Sequence, residues 1–185
     1  MTKAASQLRE QTAVGRDDAI TNVEFRRVMG HLPTGVAVVA ALVDGVPEGM
    51  AINSITSVSL DPPLIAVCID NKSSTWPHIR ATGSFTVSIL PAHQKLAPRK
   101  FSGPRHERFA GVGWRPHDTG PVLDDAVAWI DCTVDTEHSA GDHTIVVARA
   151  LDIGTAEDGD ALLFFRGQYG RFVPVAASEK MRVTR

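Results

Sequence analysis

Apolar side chains recur at two different periods along this chain, and each change of period marks an element boundary. After a polar opening stretch, residues 1–19, read as a flexible segment, Phe25, Val28, Met29 and Leu32 in TNVEFRRVMGHL stand 3-1-3 apart. That spacing puts them on one side of a helix, with Thr21 or Asn22 as N-cap and Pro33 as its stop. TGVAVVAALV (34–43) is a β-branched apolar run, and Asp44-Gly45 after it is a tight-turn signal. Residues 49–60, GMAINSITSVSL, predict the next strand, with Met50, Ile52, Ile55, Val58 and Leu60 on its apolar side. The three-residue step from 52 to 55 breaks the alternation and predicts a bulge or bend around Asn53-Ser54.

DPP (61–63) interrupts the chain before the continuous apolar strand LIAVCID, and SSTWPHIRATG then predicts a short helix capped by Ser73 or Ser74 and closed by Gly83. SFTVSIL alternates as a half-buried strand does. From Pro91 to Gly113 the chain is polar and basic, with PAHQKLAPRKF and PRHERFA as helical pieces. AVAWIDCTVDTEHSA, DHTIVVARALDIG and ALLFFRGQYGRF supply three further strands, and 174–185 is a polar tail. Six or so strands with two or three inserted helices and no βαβ rhythm predict a mostly antiparallel β-barrel with helical additions, one domain over residues 20–173.

Composition narrows the function more than the fold. With 185 residues, 43% hydrophobic and 22% charged, the chain has an ordinary core, and a net charge of −2 gives no reason to expect nucleic-acid or anionic-membrane binding. The longest apolar runs, such as GVAVVAALV, fall well short of the roughly 20 residues of a membrane span, and the N-terminus lacks a hydrophobic signal core. Cys68 and Cys132 each lie in an apolar strand and read as reduced thiols, so a cytoplasmic protein is expected. No P-loop, GxGxxG, GxSxG, HExxH or paired CxxC is present, so any nucleotide needs a different frame.

Three segments are candidates for chemistry. Ser73, Ser74 and Thr75 at a helix start, beside Lys72, are either an anion cradle of hydroxyls and first-turn N–H groups or a plain N-cap. The hydroxyl-rich strand AINSITSVS is slim enough for a flat heterocycle to lie against its backbone, as an isoalloxazine ring would; otherwise it is an edge strand with a solvated face. In AGDHTIVV, Gly141 allows a positive φ and Asp142 can orient His143. His138 lies near enough for a metal pair, but no third ligand stands at useful spacing, and no metal is expected. Tyr169 with Arg166 and Arg171 offers a stacking and phosphate-contacting surface or ordinary strand ends, and Arg99, Lys100, Arg105 and Arg108 offer phosphate contacts or a solvated face.

Taken in order, FRRVMGHLPTGVAVV, GMAINSITSVSLDPPLIAVCIDNKSSTWPHIRATGSFTVSIL, KFSGPRHERFAGVGWRP, PVLDDAVAWIDCTVDTEHSAGDHTIVVARAL and LLFFRGQYGRF resemble the short-chain flavin reductase family over residues 22–172. These are the reductase components of two-component flavin-dependent monooxygenases. The resemblance implies an antiparallel, Greek-key-like split barrel that binds FMN or FAD and uses NADH or NADPH as reductant. It places Pro33, Thr34 and Gly35 with Asn53, Ser54, Ile55, Thr56 and Ser57 against the flavin ring. Asn71, Lys72, Ser73, Ser74 and Thr75, with Lys100, Phe101 and Arg108, would hold the ribityl phosphate. Asp142, His143, Tyr169 and Arg171 would form the nicotinamide side, with His143 the catalytic residue nearest the reacting ring. It further implies a homodimer and an oxygenase component as partner. The chain departs from the commoner FATG or FCTG with LPTG at 32–35, and FMN against FAD stays open. Two other readings of the frame are a flavoprotein that keeps FMN and acts on an organic substrate, and a non-catalytic module for flavin or haem.

Overall fold

The hairpin predicted at Asp44-Gly45 forms as the pattern requires. β2 (Ala37–Val43) and β3 (Val46–Ile52) pair antiparallel with Val43 opposite Val46. Asp44 and Gly45 take φ of 51° and 80°, the left-handed pair that two-residue hairpins favour. The computed structural model describes residues 20–156 and 159–174; the expected N-terminal segment 1–19 and the tail from 175 lie outside the described residues.

The strand predicted over 49–60 is two strands. β3 ends at Ile52, and β4 (Thr56–Leu60) begins four residues later on the opposite edge of the same sheet. With β5 (Pro63–Asp70), β6 (Ser84–Ile89), β9 (Ala128–Ala140) and β10 (His143–Thr155), they form a seven-stranded antiparallel sheet in the order β3-β2-β6-β9-β10-β5-β4. Laid flat, six inter-strand spacings of ~4.8 Å would hold its edges ~29 Å apart. Residues 53–55 bridge those edges, and the step from Ile52 to Thr56 spans at most ~14 Å. The sheet therefore curls until its edges approach, leaving a seam at which no ladder joins β3 to β4. The expected bend at Asn53-Ser54 is this crossing; the bulge lies later, between Ser57 and Ser59 of β4.

β2 explains how the barrel is held. Ala37, Val39 and Ala41 face one apolar cluster with Ile65, Val67, Phe85 and Val146, and helix α2 (Trp76–Thr82) adds Trp76 and Ile79 to it. Val36, Val38 and Ala40 face a second cluster with Leu90, Phe101, Leu123 and Leu162. An unbroken apolar run is what a strand buried on both faces needs. β6, read as alternating, is likewise buried on both faces. Its Thr86 and Ser88 are admitted because they are hydrogen-bonded: Thr86 Oγ1 donates to the Pro121 carbonyl at 2.6 Å, and Ser88 Oγ accepts from Leu123 N at 3.1 Å. Both bonds reach β8 (Gly120–Leu123), which pairs with β7 (Trp114–His117) in a hairpin the hydrophobic pattern did not predict. Thr86→Val should remove about 1–2 kcal/mol of stability by stranding that buried carbonyl. Urea unfolding with an unchanged m-value would check it.

The last predicted strand is also a hairpin. β11 (Leu162–Phe165) and β12 (Gln168–Arg171) turn at Arg166-Gly167, and β1 (Thr34–Gly35) pairs with β11. The first helix, α1 (Asn22–Met29), starts at Thr21 with a reciprocal capping box to Glu24. Its apolar side, however, is not packed: Phe25, Val28 and Leu32 are exposed. The polar stretch after Pro91 contains the single-turn helix α3 (Ala97–Phe101) between two 3₁₀ turns.

Candidate functional site

A trough follows the barrel seam in three segments. The largest, about 1100 Å³, lies between the chain around His31–Gly35 and the crossing residues Asn53–Thr56. The middle one, about 160 Å³, is walled by Val36, Ala51, Ile52, Phe164 and Tyr169. The third, about 290 Å³, is lined by Asp70, Lys72–Thr75, Phe101 and Arg108. Asn53 and Phe164 belong to both of the first two, and Ala51 and Ser102 to both of the last two, so the segments lie end to end.

The large segment gathers most of the residues expected around a ring: Pro33, Thr34, Gly35, Asn53, Ser54, Ile55 and Thr56 all line it. Ser54 builds the wall, its hydroxyl accepting from Cys68 N and donating to Cys68 O, which pins the crossing to β5. Thr34 Oγ1 is buried with no hydrogen-bond partner. A hydroxyl left so costs roughly 1–3 kcal/mol, a deficit that a polar-edged ligand removes. Ser57 does not take part; it is exposed on β4, opposite Ile65.

At the other end, Lys72, Ser73, Ser74, Thr75, Phe101 and Arg108 converge as expected, but by different means. The helix start is largely spent: Trp76 N donates to Ser73 Oγ, Pro77 has no N–H, and His78 and Ile79 N donate to the Thr75 carbonyl. The N-cap is Thr75 rather than the expected Ser73 or Ser74; Ser73 Oγ takes up the first-turn N–H of Trp76, and donors for an anion must come from Ser74, Lys72 and Arg108. Arg108 is buried and tied at three points: Nε to the Gly103 carbonyl at 2.9 Å, and Nη1 to the Gly49 carbonyl at 2.7 Å and Thr75 Oγ1 at 2.8 Å. Burial, helped by Arg105 and opposed by Glu48, pulls its guanidinium below the usual arginine range. Asn71 is used elsewhere. Its side chain accepts from Thr144 Oγ1 at 2.9 Å and donates to the Gly141 carbonyl, holding the β9–β10 turn. Lys100 Nζ donates to the Ala110 carbonyl and does not line the trough.

Tyr169 lines the middle segment and packs on Phe164 with ring centres 5.3 Å apart. Arg171 lies in a separate hollow near Asp160. Gly141 takes φ of 64°, and His143 Nδ1–H donates to Asp142 Oδ1 at 2.7 Å, as the sequence suggested. That bond and the His143 charge hold the Asp142 carboxyl below the usual range, so the contact persists at neutral pH and is lost as pH falls through the lowered value. The turn sits beside Asp70, which pairs with His143, and neither Asp142 nor His143 lines the trough of its own chain.

Ala51, Val36, Cys68, His31, Arg26 and Arg27 line the trough without having been singled out, and Arg166, offered as a phosphate contact, joins them there. Ala51 carried a signal, a small residue in an edge strand beside the hydroxyl cluster; the place of Arg166 in a turn needed the hairpin, which was read as one strand. His138 gathers no ligand set. Among the described residues His117, Asp131 and Asp152 bring ligand atoms within 4.8 Å, but Asp131 already accepts from His117 Nδ1 at 3.0 Å and Thr119 Oγ1 at 2.8 Å. It reads as a satisfied buried network.

The thiols offer a probe. Burial and the neighbouring Asp131 push Cys132 up to about 12, whereas Cys68 is half-buried in the trough wall. An aromatic disulfide reagent near pH 8 should label one thiol per native chain, more slowly with FMN present, and the second only after unfolding.

A barrel split along a seam, with a polar-edged trough running through it, defines a class, and the relatives agree. Residues 29–172 match the family described as Flavin reductase like domain, and the chain belongs to it. It is 39% identical over 177 residues to a flavin reductase of Pseudomonas putida, covering 95% of this chain and all of that one. It is 38% identical over 153 residues to the reductase subunit HsaB of a flavin-dependent monooxygenase of Mycobacterium tuberculosis, covering 81% and 82%. Among solved structures, the NADH:FAD oxidoreductase SgcE6 of Streptomyces globisporus, in complex with NAD and FAD fragments, superposes with a TM-score of 0.79 at 34% identity over 86% of this chain and 99% of that one.

Proposed function

We propose that this chain is an NAD(P)H:flavin oxidoreductase that supplies reduced FMN or FAD to a separate oxygenase. The observation that carries the reading is the seam trough itself, with an unpartnered buried hydroxyl at Thr34 in its wide end and Lys72, Ser74 and Arg108 at its narrow end. Those two chemistries suit a flavin ring edge and a ribityl phosphate. When bound, flavin supplies the electron acceptor, taking a hydride from nicotinamide C4 at its N5.

The protein contributes placement. Thr34 and the crossing residues Asn53–Thr56 hold the ring edge at the seam, where β3 and β4 are left as unpaired strand edges. Lys72, Ser74 and Arg108 fix the phosphate, with Ser73 and Thr75 shaping the loop that presents them. Tyr169, against Phe164, walls the side from which a second ring approaches, and Asp142 fixes the orientation of His143. Stacking two rings at reacting distance needs orientation and exclusion of water more than acid–base chemistry.

The reductase domain occupies residues 20–173 and works as a homodimer in the cytoplasm. The apolar side of α1, unpacked against the described residues, is the surface a second copy would cover, and the trough-facing role of His143 rests on that assembly. The two free thiols suit a reducing compartment.

Stopped-flow absorbance at the oxidised-flavin band, pairing NADH and NADPH with FMN and FAD, tests the reading. Multiple turnovers of added free flavin are expected. Flavin that bleaches once and stays bound would favour a flavoprotein acting on its own substrate, and no bleaching would leave a binding module.

A further inference from the structure

The wide end of the trough carries charge that neither ring accounts for. Arg26, Arg27 and Arg166 line it with His31, and no carboxylate does. In a chain with 21 acidic and 19 basic residues, that is a local excess. Among the described residues the arginines in ion pairs are Arg80, Arg105, Arg149 and Arg171, and Glu24, the acid of α1, is spent on Thr21. The three are held together by backbone: Arg166 N donates to the Gly30 carbonyl at 2.8 Å, fastening the β11–β12 turn to the end of α1.

Arg166 adds an independent observation. It has φ of 51° at the first position of a two-residue turn whose second residue is Gly167, where asparagine or glycine is favoured. A bulky residue in the left-handed region carries a conformational penalty, and such outliers point toward function. The helix dipole explains cations in the last turn of α1 but not an arginine in that turn.

We infer that Arg26, Arg27 and Arg166 bind the diphosphate of a dinucleotide at the mouth of the trough, apart from the phosphate end at Lys72 and Arg108. The inference rests on the reading of the trough as a flavin and nicotinamide site. NADH carries such a diphosphate; the phosphate of a bound flavin, FMN or FAD, is already placed at the Lys72 end. Guanidinium groups match the diphosphate in geometry and charge, and their exposure makes the contact weak and salt-sensitive.

The test uses Arg27→Gln, Arg166→Asn and the double variant. Binding of ADP to flavin-free protein, followed by titration calorimetry at low and high salt, should weaken about tenfold in each single variant and further in the double, with a flatter salt dependence. Arg166→Asn should at the same time keep or raise Tm, because Asn-Gly suits the turn, a combination that a merely structural arginine does not produce. In turnover with FMN, KM for NADH should rise about tenfold, while an N-benzyl dihydronicotinamide, which lacks phosphate, is used as before. A loss for NADH with FMN and FAD affinity unchanged is the expected result, and a loss confined to FAD affinity would overturn the assignment, because it would bring the flavin's own phosphate to this end. ADP affinity unaltered by the substitutions, no ADP binding by the wild type, or equal losses with the phosphate-free reductant would overturn the inference. A wild-type protein that binds ADP yet never bleaches flavin would sink the proposed activity and leave the arginine site standing.

Discussion

Ala51→Phe is expected to weaken FMN binding about 100-fold, ~2.8 kcal/mol, while leaving the fold and its unfolding midpoint nearly unchanged. Ala51, with Ser102, is common to the middle and narrow segments, so its methyl group borders the passage between the ring end and the phosphate end. A phenyl ring there fills much of a space of about 160 Å³. Flavin could then place its ring or its phosphate, but not both. The fold tolerates the change because Ala51 is half-exposed on an edge strand, whereas its neighbour Ile52 is buried in the core. Flavin fluorescence quenching, beside a thermal melt, reads the two effects separately. Undiminished affinity would mean that flavin does not cross this passage.

Arg108→Met should cost about 3–5 kcal/mol of stability and abolish preference for FMN over riboflavin. The guanidinium joins three pieces of chain: the Gly103 carbonyl after α3, the Gly49 carbonyl of β3 and the Thr75 hydroxyl before α2. Methionine fills the space but strands those acceptors. Glu48, already with one buried oxygen unpartnered, also loses a neighbouring cation. Arg108→Lys should recover part of the stability through one contact, but not the three-way tie. Chemical denaturation and paired FMN and riboflavin titrations check both halves. If stability falls while the FMN preference survives, Arg108 shapes the loop without touching phosphate.

Much of the fold was legible because its driving pattern is local. The doubly buried run 36–41, the Asp44-Gly45 turn, the strand at 64–70 and the Gly83 helix end all follow from side chains near one another in sequence. What was not legible was long-range. Residues 49–60 look like one strand with a slip because each half is apolar; only the closed sheet shows that Ile52 and Thr56 belong to opposite edges. Residues 161–172 hid a hairpin because arginine stands where a turn usually shows asparagine or glycine. The short strands at 114–117 and 120–123 carry too few residues to display a period.

The site was readable in outline through its hydroxyl clusters, and less so in its detail. Asn71, Lys100 and Ser57 share the composition of their neighbours, yet spend their side chains on a turn, a carbonyl and solvent. Local sequence does not state which way a side chain is committed. Phe164, large and apolar, looked like core because a trough wall and a core wall draw on the same residues.

The account depends most on one physical statement, that a flavin occupies the seam between β3 and β4. A crystal structure of the protein soaked in excess FMN tests it most directly. The ring is predicted beside Thr34 and Asn53–Thr56, within reach of the unpartnered Thr34 hydroxyl, with the phosphate between Lys72, Ser74 and Arg108. A seam closed by the protein's own side chains, or FMN ordered at another surface, would contradict it.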